Sequence, residues 1–325
     1  MDRVKVGVVG VGYLGRYHAE KYANLPQTEL VGVADTSVEK AREVAGAWNA
    51  RAFADYRDLI PHVQAVSIVV PTPLHCAIAS DFLKHGVDVL VEKPITATLE
   101  EAEGLIALAR DKHLILQVGH LERFNAAIVA TRDSIRNPMF IESHRLSFFQ
   151  ERGTDVDVIL DLMIHDIDII LNMVKSPVRG IHAVGVPVIS QHIDIANARI
   201  EFQNGCVANI TASRISDKMM RKIRVFEPDA YISIDYAAKE VQVYRKIGET
   251  SPGTYPEIVS EQIFIDEKDS LEEEIKAFIK SVRTRETPVV PGEAGKEALK
   301  VALEIVEQTR VKIKQNPESR IQNPE

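Results

Sequence analysis

Carboxylate and imidazole side chains recur at helical spacing in the segment Asp161-Leu162-Met163-Ile164-His165-Asp166-Ile167-Asp168. Asp161 precedes His165 by four residues and Asp168 follows it by three, so on a helix these side chains share one face. A histidine titrates near neutral pH, and a neighbouring carboxylate can orient it. The spacing therefore predicts a general acid/base, although the same residues without further context are an ordinary polar helix pair.

The acidic residues of this segment also allow a metal cluster as an alternative interpretation. Its members would be Asp157, Asp161, His165 and Asp168. Their spacing matches no common zinc or calcium motif, and acid–base chemistry needs no ion, so we expect no metal.

A glycine-rich turn, Gly10-Val11-Gly12-Tyr13-Leu14-Gly15, follows the first strand pattern and opens a helix pattern. Gly10 permits a tight turn, Gly12 leaves room for a pyrophosphate, and Gly15 lets helix and strand pack closely. The free N–H groups of the helix N-terminus favour an anion. The turn therefore predicts a dinucleotide site.

Asp35 lies twenty residues after Gly15, at the end of the next strand pattern. A carboxylate there can accept hydrogen bonds from an adenosine ribose, and it repels a 2′-phosphate. We therefore expect NAD rather than NADP, while Lys40 and Arg42 leave NADP open. The alternative is that Asp35 caps the helix that begins near Val38.

The elements that hold these residues alternate regularly over residues 1–120, which predicts an α/β Rossmann domain with a parallel sheet. Thr98 and Glu101 form a capping-box pattern at the start of its last helix. The predicted strands are Val4–Val9, Leu30–Ala34, Ala65–Val70, Asp88–Val91 and Leu114–Val118, and the predicted helices are Tyr13–Ala23, Val38–Trp48, Cys76–His85 and Leu99–Lys112.

The pattern changes in residues 121–325, which predict an α+β domain. A helix over Val156–Val174 is followed by six strand patterns joined by turn signals, which favour an antiparallel sheet. Two helices, Ser270–Arg285 and Glu293–Lys314, precede a polar segment, Gln315–Glu325, that we expect to be frayed. The six strand patterns cover residues 181–189, 193–203, 206–214, 220–226, 230–235 and 239–245.

The composition of the 325 residues is that of a globular protein, with 45% hydrophobic and 26% charged residues. A net charge of -8 argues against nucleic acid and anionic membranes as partners, so we expect small molecules. The N-terminus lacks a signal-peptide pattern and no segment is a bilayer span, which predicts a cytoplasmic location. Cys76 and Cys206 have no metal-ligand spacing and are expected to be idle thiols.

The triplet Glu92-Lys93-Pro94 ends a predicted strand, and by itself it is typical of a solvated loop. Three further segments accompany it: Gly12-Tyr13-Leu14-Gly15-Arg16-Tyr17-His18, Pro71-Thr72-Pro73-Leu74-His75 and the Asp161–Asp168 helix. In this order and spacing, the four resemble the signature segments of the glucose-fructose oxidoreductase, inositol dehydrogenase and MocA family of NAD-dependent oxidoreductases. The resemblance covers both predicted domains.

This resemblance implies a Rossmann domain followed by a domain with an open-faced, mostly antiparallel sheet, through which we expect a homodimer or homotetramer. It also implies that Lys93, Asp161 and His165 contact the reacting hydroxyl, with the histidine as general acid/base and the lysine lowering the pKa of the hydroxyl. Pro94 is expected to fix the chain direction through an unusual peptide geometry. Besides the glycines and Asp35, the implied cofactor contacts are Tyr13, Leu14, Pro71, Thr72, His75, Glu92 and Lys93.

One segment departs from the family pattern. Glycines and small residues usually precede the active-site helix, whereas this chain has Gly153-Thr154-Asp155-Val156-Asp157-Val158. The departure leaves the substrate fit open. Thr154 and Asp157 also make a helix cap, in which Asp155 and Asp157 would complement the helix dipole.

Basic and polar residues supply candidate substrate contacts. Arg123 and Asn125 resemble a family segment near the nicotinamide and the substrate. Arg214 and the segment Met220–Arg224 place cations on neighbouring strand patterns, where they could bind a diphosphate. The alternative for these cations is a salt-bridged sheet surface.

Two segments, Gly119–Asn125 and Arg221–Tyr236, resemble a bacterial branch of the family, the UDP-N-acetylglucosamine 3-dehydrogenases. That branch prepares a 3-keto sugar nucleotide for amination on the way to amide-linked lipid A. We therefore expect oxidation of a ring hydroxyl, with a nucleotide sugar ahead of inositol or a free sugar. Two alternatives stay open: reduction of an imine or dihydrodiol-like substrate, and a non-catalytic NAD(H)-binding regulator, which would not need Lys93, Asp161 and His165 together.

Overall fold

A computed structural model describes residues 3–150, 156–248, 255–265 and 268–315. The chain divides into two compact units, Met1–Phe124 with Lys268–Leu299 and Asn125–Glu267 with Lys300–Glu325. The sequence predicted one boundary after residue 120. The first unit instead extends to Phe124, and it also contains Lys268–Leu299, which the sequence assigned to the second domain.

The first unit contains a six-stranded parallel sheet, as the alternating pattern predicted. Arg51–Phe53 was not predicted as a strand because it has only three residues, of which two are exposed. The strands are β1 (Val4–Val9), β2 (Thr28–Ala34), β3 (Arg51–Phe53), β4 (Ala65–Ile68), β5 (Asp88–Glu92) and β6 (Leu116–Gly119). Their order is β3-β2-β1-β4-β5-β6, the Rossmann order, in which the connections change direction between β1 and β4.

Four helices connect these strands: α1 (Gly15–Asn24), α2 (Val38–Ala47), α3 (His75–Lys84) and α4 (Leu99–Asp111). Their starts follow local chemistry. Ser37 caps α2 by accepting from the N–H of Lys40, and Thr98 and Glu101 form the predicted capping box of α4.

The second unit contains an eight-stranded, mostly antiparallel sheet, which confirms the predicted α+β class. Its strands are β7 (Phe140–Leu146), β8 (Val178–Val186), β9 (Ile195–Phe202), β10 (Val207–Ser213), β11 (Met220–Phe226), β12 (Ala230–Asp235), β13 (Glu240–Ile247) and β14 (Glu257–Ile263). The order is β14-β13-β12-β11-β7-β10-β9-β8, and only β7 and β10 pair in parallel among the pairs described. The sequence did not predict β7 and β14.

Two helices of this unit lie at predicted site residues: α5 (Ala126–Thr131), which Asn125 caps, and α6 (Ile164–Val174), which contains His165. Helix α5 precedes β7, and α6 packs on the sheet. The predicted helix Val156–Val174 is not uniform, because Ile159–Met163 forms a π-helical turn before α6 begins. Gly153, Thr154 and Asp155 of the predicted cap lie outside the described residues, as does the predicted frayed tail from residue 316 onward.

Helix α7 (Ser270–Thr284) returns the chain to the first unit. Its buried residues Leu271, Ile275 and Phe278 join the apolar core that also contains β1 and α1. Just beyond α7, the Arg285 guanidinium donates to both oxygens of Asp88, at 2.6 and 3.0 Å. Helix α8 (Gly292–Gln315) follows and contributes residues to both units.

No helix in the described part of the chain is long and apolar enough to cross a membrane.

Candidate active site

The glycine turn lies between β1 and α1 and has the backbone that the motif predicts. Gly10 has φ +84°, and a Cβ there would approach the carbonyl oxygen of Val69 to 2.3 Å. A Cβ on Gly15 would lie 1.8 Å from the carbonyl oxygen of Gly10. A Cβ on Gly12 would meet nothing within 4 Å. Gly10 and Gly15 are therefore required by the turn itself, whereas Gly12 faces open space.

A cavity of about 590 Å³ opens beside this turn, at the carboxyl ends of β1, β2 and β4. This is the edge at which parallel sheets of this order bind dinucleotides. Of the residues predicted to bind the cofactor, Gly10, Gly12, Asp35 and Pro71 line the cavity. The cavity, the open space at Gly12 and the free helix N-terminus fit an NAD molecule.

Asp35 has two backbone partners within the protein. One carboxylate oxygen accepts from the N–H of Val11 and the other accepts from the N–H of Ser37, each at 2.9 Å. The alternative that Asp35 caps α2 is wrong, since Ser37 is the capping residue. Asp35 therefore braces the glycine turn, and it also lines the cavity.

The remaining predicted cofactor residues near the turn differ in exposure. Tyr13 is 60% exposed and contacts the ring of Tyr17 edge-on, with the ring centroids 5.6 Å apart. Leu14 is half-buried directly before α1, and Thr72 opens a short 3₁₀ turn before α3.

The Glu92-Lys93-Pro94 triplet lies at the carboxyl end of β5. The Lys93–Pro94 peptide bond is cis, the unusual geometry that the sequence predicted. Glu92 lies 3.2 Å from Nε2 of His18, a fully buried side chain of α1. His75 is also buried and contacts the carbonyl oxygen of Pro94.

His75 was predicted to contact the cofactor, but its two ring nitrogens have partners in the protein. Nδ1 lies 2.8 Å from the carbonyl oxygen of Pro94, and Nε2 lies 2.8 Å from that of Val70. Only 1% of the residue is exposed. The structure therefore argues against direct cofactor contact by this ring.

In the second unit, Asp161 and His165 lie on adjoining helical elements. Asp161 is in the π-helical turn, His165 is the second residue of α6, and both are half-buried. A π-helical turn changes the angular spacing of side chains along a helix, and such turns are frequent at functional sites. Asp168 follows on α6 and is 1% exposed.

Asp166, the neighbour of His165, anchors α6 to the sheet. Its carboxylate accepts from Nε of Arg145 on β7 at 2.7 Å and from the hydroxyl of Tyr236 at 2.8 Å. All three residues are buried. A buried charge with this many partners fixes the helix to which it belongs.

Asp157 and Arg214 hold the chain that leads into the π-helical turn. Asp157 accepts from the N–H of Ile193 at 2.9 Å and from the Arg310 guanidinium at 3.1 Å. Arg214 donates to the carbonyl oxygen of Val156 at 2.8 Å. These contacts explain Asp157 without either alternative interpretation, the metal cluster or the helix dipole.

The structure argues against a substrate role for Arg214. Its side chain is buried and donates to Asp194 at 2.8 Å. Burial raises the pKa of the Asp194 carboxyl, but hydrogen bonds from Ser190, Ile189 and Arg214 outweigh this and hold the pKa well below its usual range. Arg214 thus compensates a buried carboxylate, which charge and strand pattern alone did not reveal.

The other predicted substrate residues lie at the start of the second unit or just before it. Asn125 caps α5 by accepting from the N–H of Ala127 at 3.1 Å. Arg123 is 7% exposed in the turn before it. On β11, Lys222 pairs with Asp235 at 4.0 Å and Arg224 pairs with Glu142 at 2.8 Å. Lys222 and Arg224 therefore form ion pairs on the sheet surface, as in the alternative interpretation.

Within the described residues, no group of three or more His, Cys, Asp or Glu side chains could hold a metal ion.

Sequence reasoning missed the buried polar partners of the site residues. His18 was part of a quoted motif, but its contact with Glu92 required the three-dimensional fold. Arg145 and Asp194 carry no local signal, because their ion pairs join residues about twenty positions apart.

Comparison with known protein families matches both parts of the chain. Residues 4–120 match the model of an oxidoreductase family with an NAD-binding Rossmann fold. Residues 124–230 match the GFO/IDH/MocA C-terminal domain.

Individual relatives match over nearly the whole chain. The UDP-N-acetylglucosamine 3-dehydrogenase of Acidithiobacillus ferrooxidans is 39% identical over 94% of this chain and 97% of its own length. A solved structure of that enzyme superposes with a TM-score of 0.90 at 38% identity, covering 96% of this chain and 99% of the other. The myo-inositol 2-dehydrogenase of Thermotoga maritima is 26% identical over 91% of this chain and 93% of its own length.

Proposed function

The chain belongs to the GFO/IDH/MocA family of NAD-binding oxidoreductases, and on that premise we propose that it oxidises carbon 3 of UDP-N-acetylglucosamine to a ketone. The observation that carries this proposal is the 39% identity to an enzyme of that name, spread over 94% of the chain. The inositol dehydrogenase is a more distant relative, at 26% identity. A nucleotide sugar is therefore the better supported substrate.

The protein is an NAD-dependent oxidoreductase, and its glycine turn and cavity supply the cofactor site. When bound, NAD accepts a hydride from carbon, which is the redox half of the reaction. The residues that would hold it are Gly10, Gly12, Asp35 and Pro71. Gly12 would meet the pyrophosphate, since its missing side chain leaves that space open.

The other half of the reaction is the removal of the hydroxyl proton as the C–H bond breaks. We assign this proton to His165, because a neutral imidazole accepts a proton near neutral pH. Asp161, one helical turn earlier, would orient the ring and stabilise its charged form. The π-helical turn that contains Asp161 sets its direction relative to His165.

Lys93 is assigned to the substrate oxygen. An ammonium beside a hydroxyl lowers the pKa of that hydroxyl and stabilises the negative charge that develops as the proton leaves. Its position directly after β5 places it at the same sheet edge as the glycine turn. Arg123 stays a predicted substrate contact, whereas Arg214 is left out because of its buried pair with Asp194.

The decisive experiment is NADH formation by the purified protein with NAD and UDP-N-acetylglucosamine, followed at the NADH absorbance band. Hydroxylamine is included because it converts a ketone product to an oxime and pulls the reaction forward. Parallel reactions contain inositol, free glucose or free N-acetylglucosamine. A parallel sample with 2-oxoglutarate tests whether bound NADH must be reoxidised by a second substrate.

NADH formation only with the nucleotide sugar supports the proposal, and turnover of inositol instead contradicts it. Lys93→Ala and His165→Asn should reduce kcat by about 100-fold or more, the range of a lost acid–base or charge-stabilising group. The matched controls are Lys84→Ala and His182→Asn, exposed residues of the same types, which should retain activity. NADH binding without turnover of any of these sugars would contradict the proposal and point to another substrate, a trapped cofactor or the non-catalytic regulator.

A homodimer or homotetramer formed through the second sheet is also part of the proposal. Four aromatic rings form a row across one face of this sheet, with neighbouring centroids 5.6, 5.0 and 5.6 Å apart. Such a row offers the apolar area that self-association requires. The rings belong to Phe140, Phe226, Tyr231 and Tyr244. The cytoplasmic location and the step toward lipid A stay predictions.

A further inference from the structure

Lys93 lies between two residues that are each contacted by a buried histidine. Its predecessor, Glu92, meets His18 of α1, and its successor, Pro94, meets His75 of α3. His18 is fully buried and His75 is 1% exposed. The residues on both sides of Lys93 are therefore contacted by imidazole rings, which belong to two different helices of the first unit.

His75 joins two loops of the cofactor edge. Its Nδ1 lies 2.8 Å from the carbonyl oxygen of Pro94 and its Nε2 lies 2.8 Å from the carbonyl oxygen of Val70, just after β4. Carbonyl oxygens only accept, so each contact is a hydrogen bond when that ring nitrogen carries a proton. The ring thus sets the distance between the chain after β4 and the chain after Lys93.

His18 controls the direction of the Glu92 side chain. Its Nε2 lies 3.2 Å from Oε1 of Glu92, which is an ion-pair distance without the alignment of a hydrogen bond. On its other side, the carboxylate lies against Gly119 of β6, where a Cβ would come within 2.8 Å of Oε1. The Glu92 carboxylate therefore lies between the buried His18 ring and the backbone of Gly119, which restrict its rotation.

A lysine side chain is long and flexible, so the direction of its backbone decides where the ammonium can act. Misplacement of a reacting group by about 1 Å can reduce a rate by about 100-fold. We propose that His18 and His75 are positioning residues, which hold Glu92 and Pro94 so that Lys93 meets the substrate hydroxyl. The inference rests on the proposed role of Lys93, because a lysine without that role would need no such support.

The first test measures steady-state kinetics of His18→Asn and His75→Gln with NAD and UDP-N-acetylglucosamine. We expect kcat to fall about 10-fold to 100-fold, while KM for the sugar and the affinity for NADH change less than about threefold. A glutamine at position 75 keeps one donor, so it should retain more activity than His75→Leu. The matched control is His85→Asn, an exposed histidine at the end of α3.

The second test does not depend on turnover. Lysines are converted to ¹³C-dimethyl-lysines by reductive methylation, and the signal of Lys93 is assigned by its loss in Lys93→Arg. We expect the titration midpoint or chemical shift of this signal to move in His18→Asn and His75→Gln but not in His85→Asn. A purely structural role for the histidines would lower the melting temperature without selectively moving this signal.

The two proposals can fail separately. If Lys93→Ala keeps full activity, the proposed role of Lys93 is wrong, whatever the histidine variants do. If Lys93→Ala is inactive but folded His18→Asn and His75→Gln keep wild-type kcat and an unshifted Lys93 signal, the positioning inference is overturned. A parallel loss of kcat, NADH affinity and melting temperature also overturns it, since that pattern marks general destabilisation.

Discussion

The carboxylate of Asp35 accepts a 2.9 Å hydrogen bond from the backbone N–H of Val11, inside the glycine turn. The acid that a dinucleotide fold directs at the ribose thus also fixes the loop that receives the pyrophosphate. Removing it should affect both the cofactor and the fold.

Asp35→Ala leaves the buried N–H of Val11 without its acceptor. We expect the free energy of unfolding to fall by about 1–3 kcal/mol and the affinity for NADH to fall as well. Asp35→Asn keeps an acceptor oxygen and should lose less stability. Urea unfolding with and without NADH measures both effects, and an Asp35→Ala protein as stable as the wild type would contradict the bracing role.

The glycine turn offers a matched pair of substitutions. A Cβ on Gly12 meets nothing within 4 Å, so Gly12→Ala should leave the unfolding free energy within about 0.5 kcal/mol of the wild type. Its NADH affinity should nevertheless fall by about tenfold or more, because the Cβ enters the space of the pyrophosphate. Gly10→Ala, at φ +84° and 2.3 Å from a carbonyl oxygen, should destabilise the free protein. Equal NADH affinity of Gly12→Ala and wild type would argue against the predicted pyrophosphate position.

The buried pair of Arg214 and Asp194 predicts a large cost for breaking it from one side. Arg214→Met removes the cationic partner of the buried Asp194 carboxylate, which keeps its hydrogen bonds from Ser190 and Ile189, and it should reduce the unfolding free energy by about 3–5 kcal/mol. KM for the sugar in the protein that remains folded should stay close to the wild-type value, because Arg214 is not assigned to the substrate. A stable Arg214→Met protein with a selectively raised KM would return Arg214 to the substrate site.

Asp194 should also give the fold a pH-dependent stability, whose sign follows from the lowered pKa of this carboxyl. Its folded pKa lies below its unfolded value of about 3.9, so its contribution is complete above that value and is lost as the pH falls below it. Asp194→Asn should be less stable than the wild type at neutral pH, but its unfolding free energy should change less steeply on acidification from about pH 5. If the unfolding free energies of the wild type and Asp194→Asn fell in parallel as the pH is lowered, the lowered pKa of Asp194 would be contradicted.

Self-association is tested at the aromatic row. Tyr231 stacks on Phe226 and Tyr244, with centroids 5.0 and 5.6 Å away, so a charge at this position should disrupt an interface formed there. We expect Tyr231→Lys to sediment as a smaller species than the wild type. Tyr255→Lys, at a 98% exposed residue outside the row, is the control. Identical sedimentation of all three proteins would place the interface elsewhere.

The parts of the fold that the sequence predicted are those with local signals. The glycine turn could be predicted because the positive φ of Gly10 is a conformation that favours glycine. The start of α4 could be predicted because Thr98 and Glu101 form a capping box within four residues. The strand β7 was missed because its buried face contains Ser143 and Arg145, which break the apolar alternation. Arg145 is acceptable there only because Asp166 meets it from a helix about twenty residues later.

In the candidate site, too, local motifs could be recognised from the sequence, whereas contacts between distant residues could not. Residue type and motif order were enough to select Lys93, Asp161 and His165, whose roles stay predictions. Contacts between distant parts of the chain could not be read from spacing, so Arg214 was assigned to the substrate and His75 to the cofactor. Both side chains have buried partners that only the fold brings together.

The first unit is built from two stretches of chain, since α7 completes the apolar core that Met1–Phe124 begins. During synthesis, a ribosome that has released the first stretch has yet to make Leu271, Ile275 and Phe278, which cover that core. More than a hundred residues must therefore be translated while the apolar surface of the incomplete first unit stays exposed. Chaperone binding to stalled nascent chains should accordingly persist until α7 has left the ribosome.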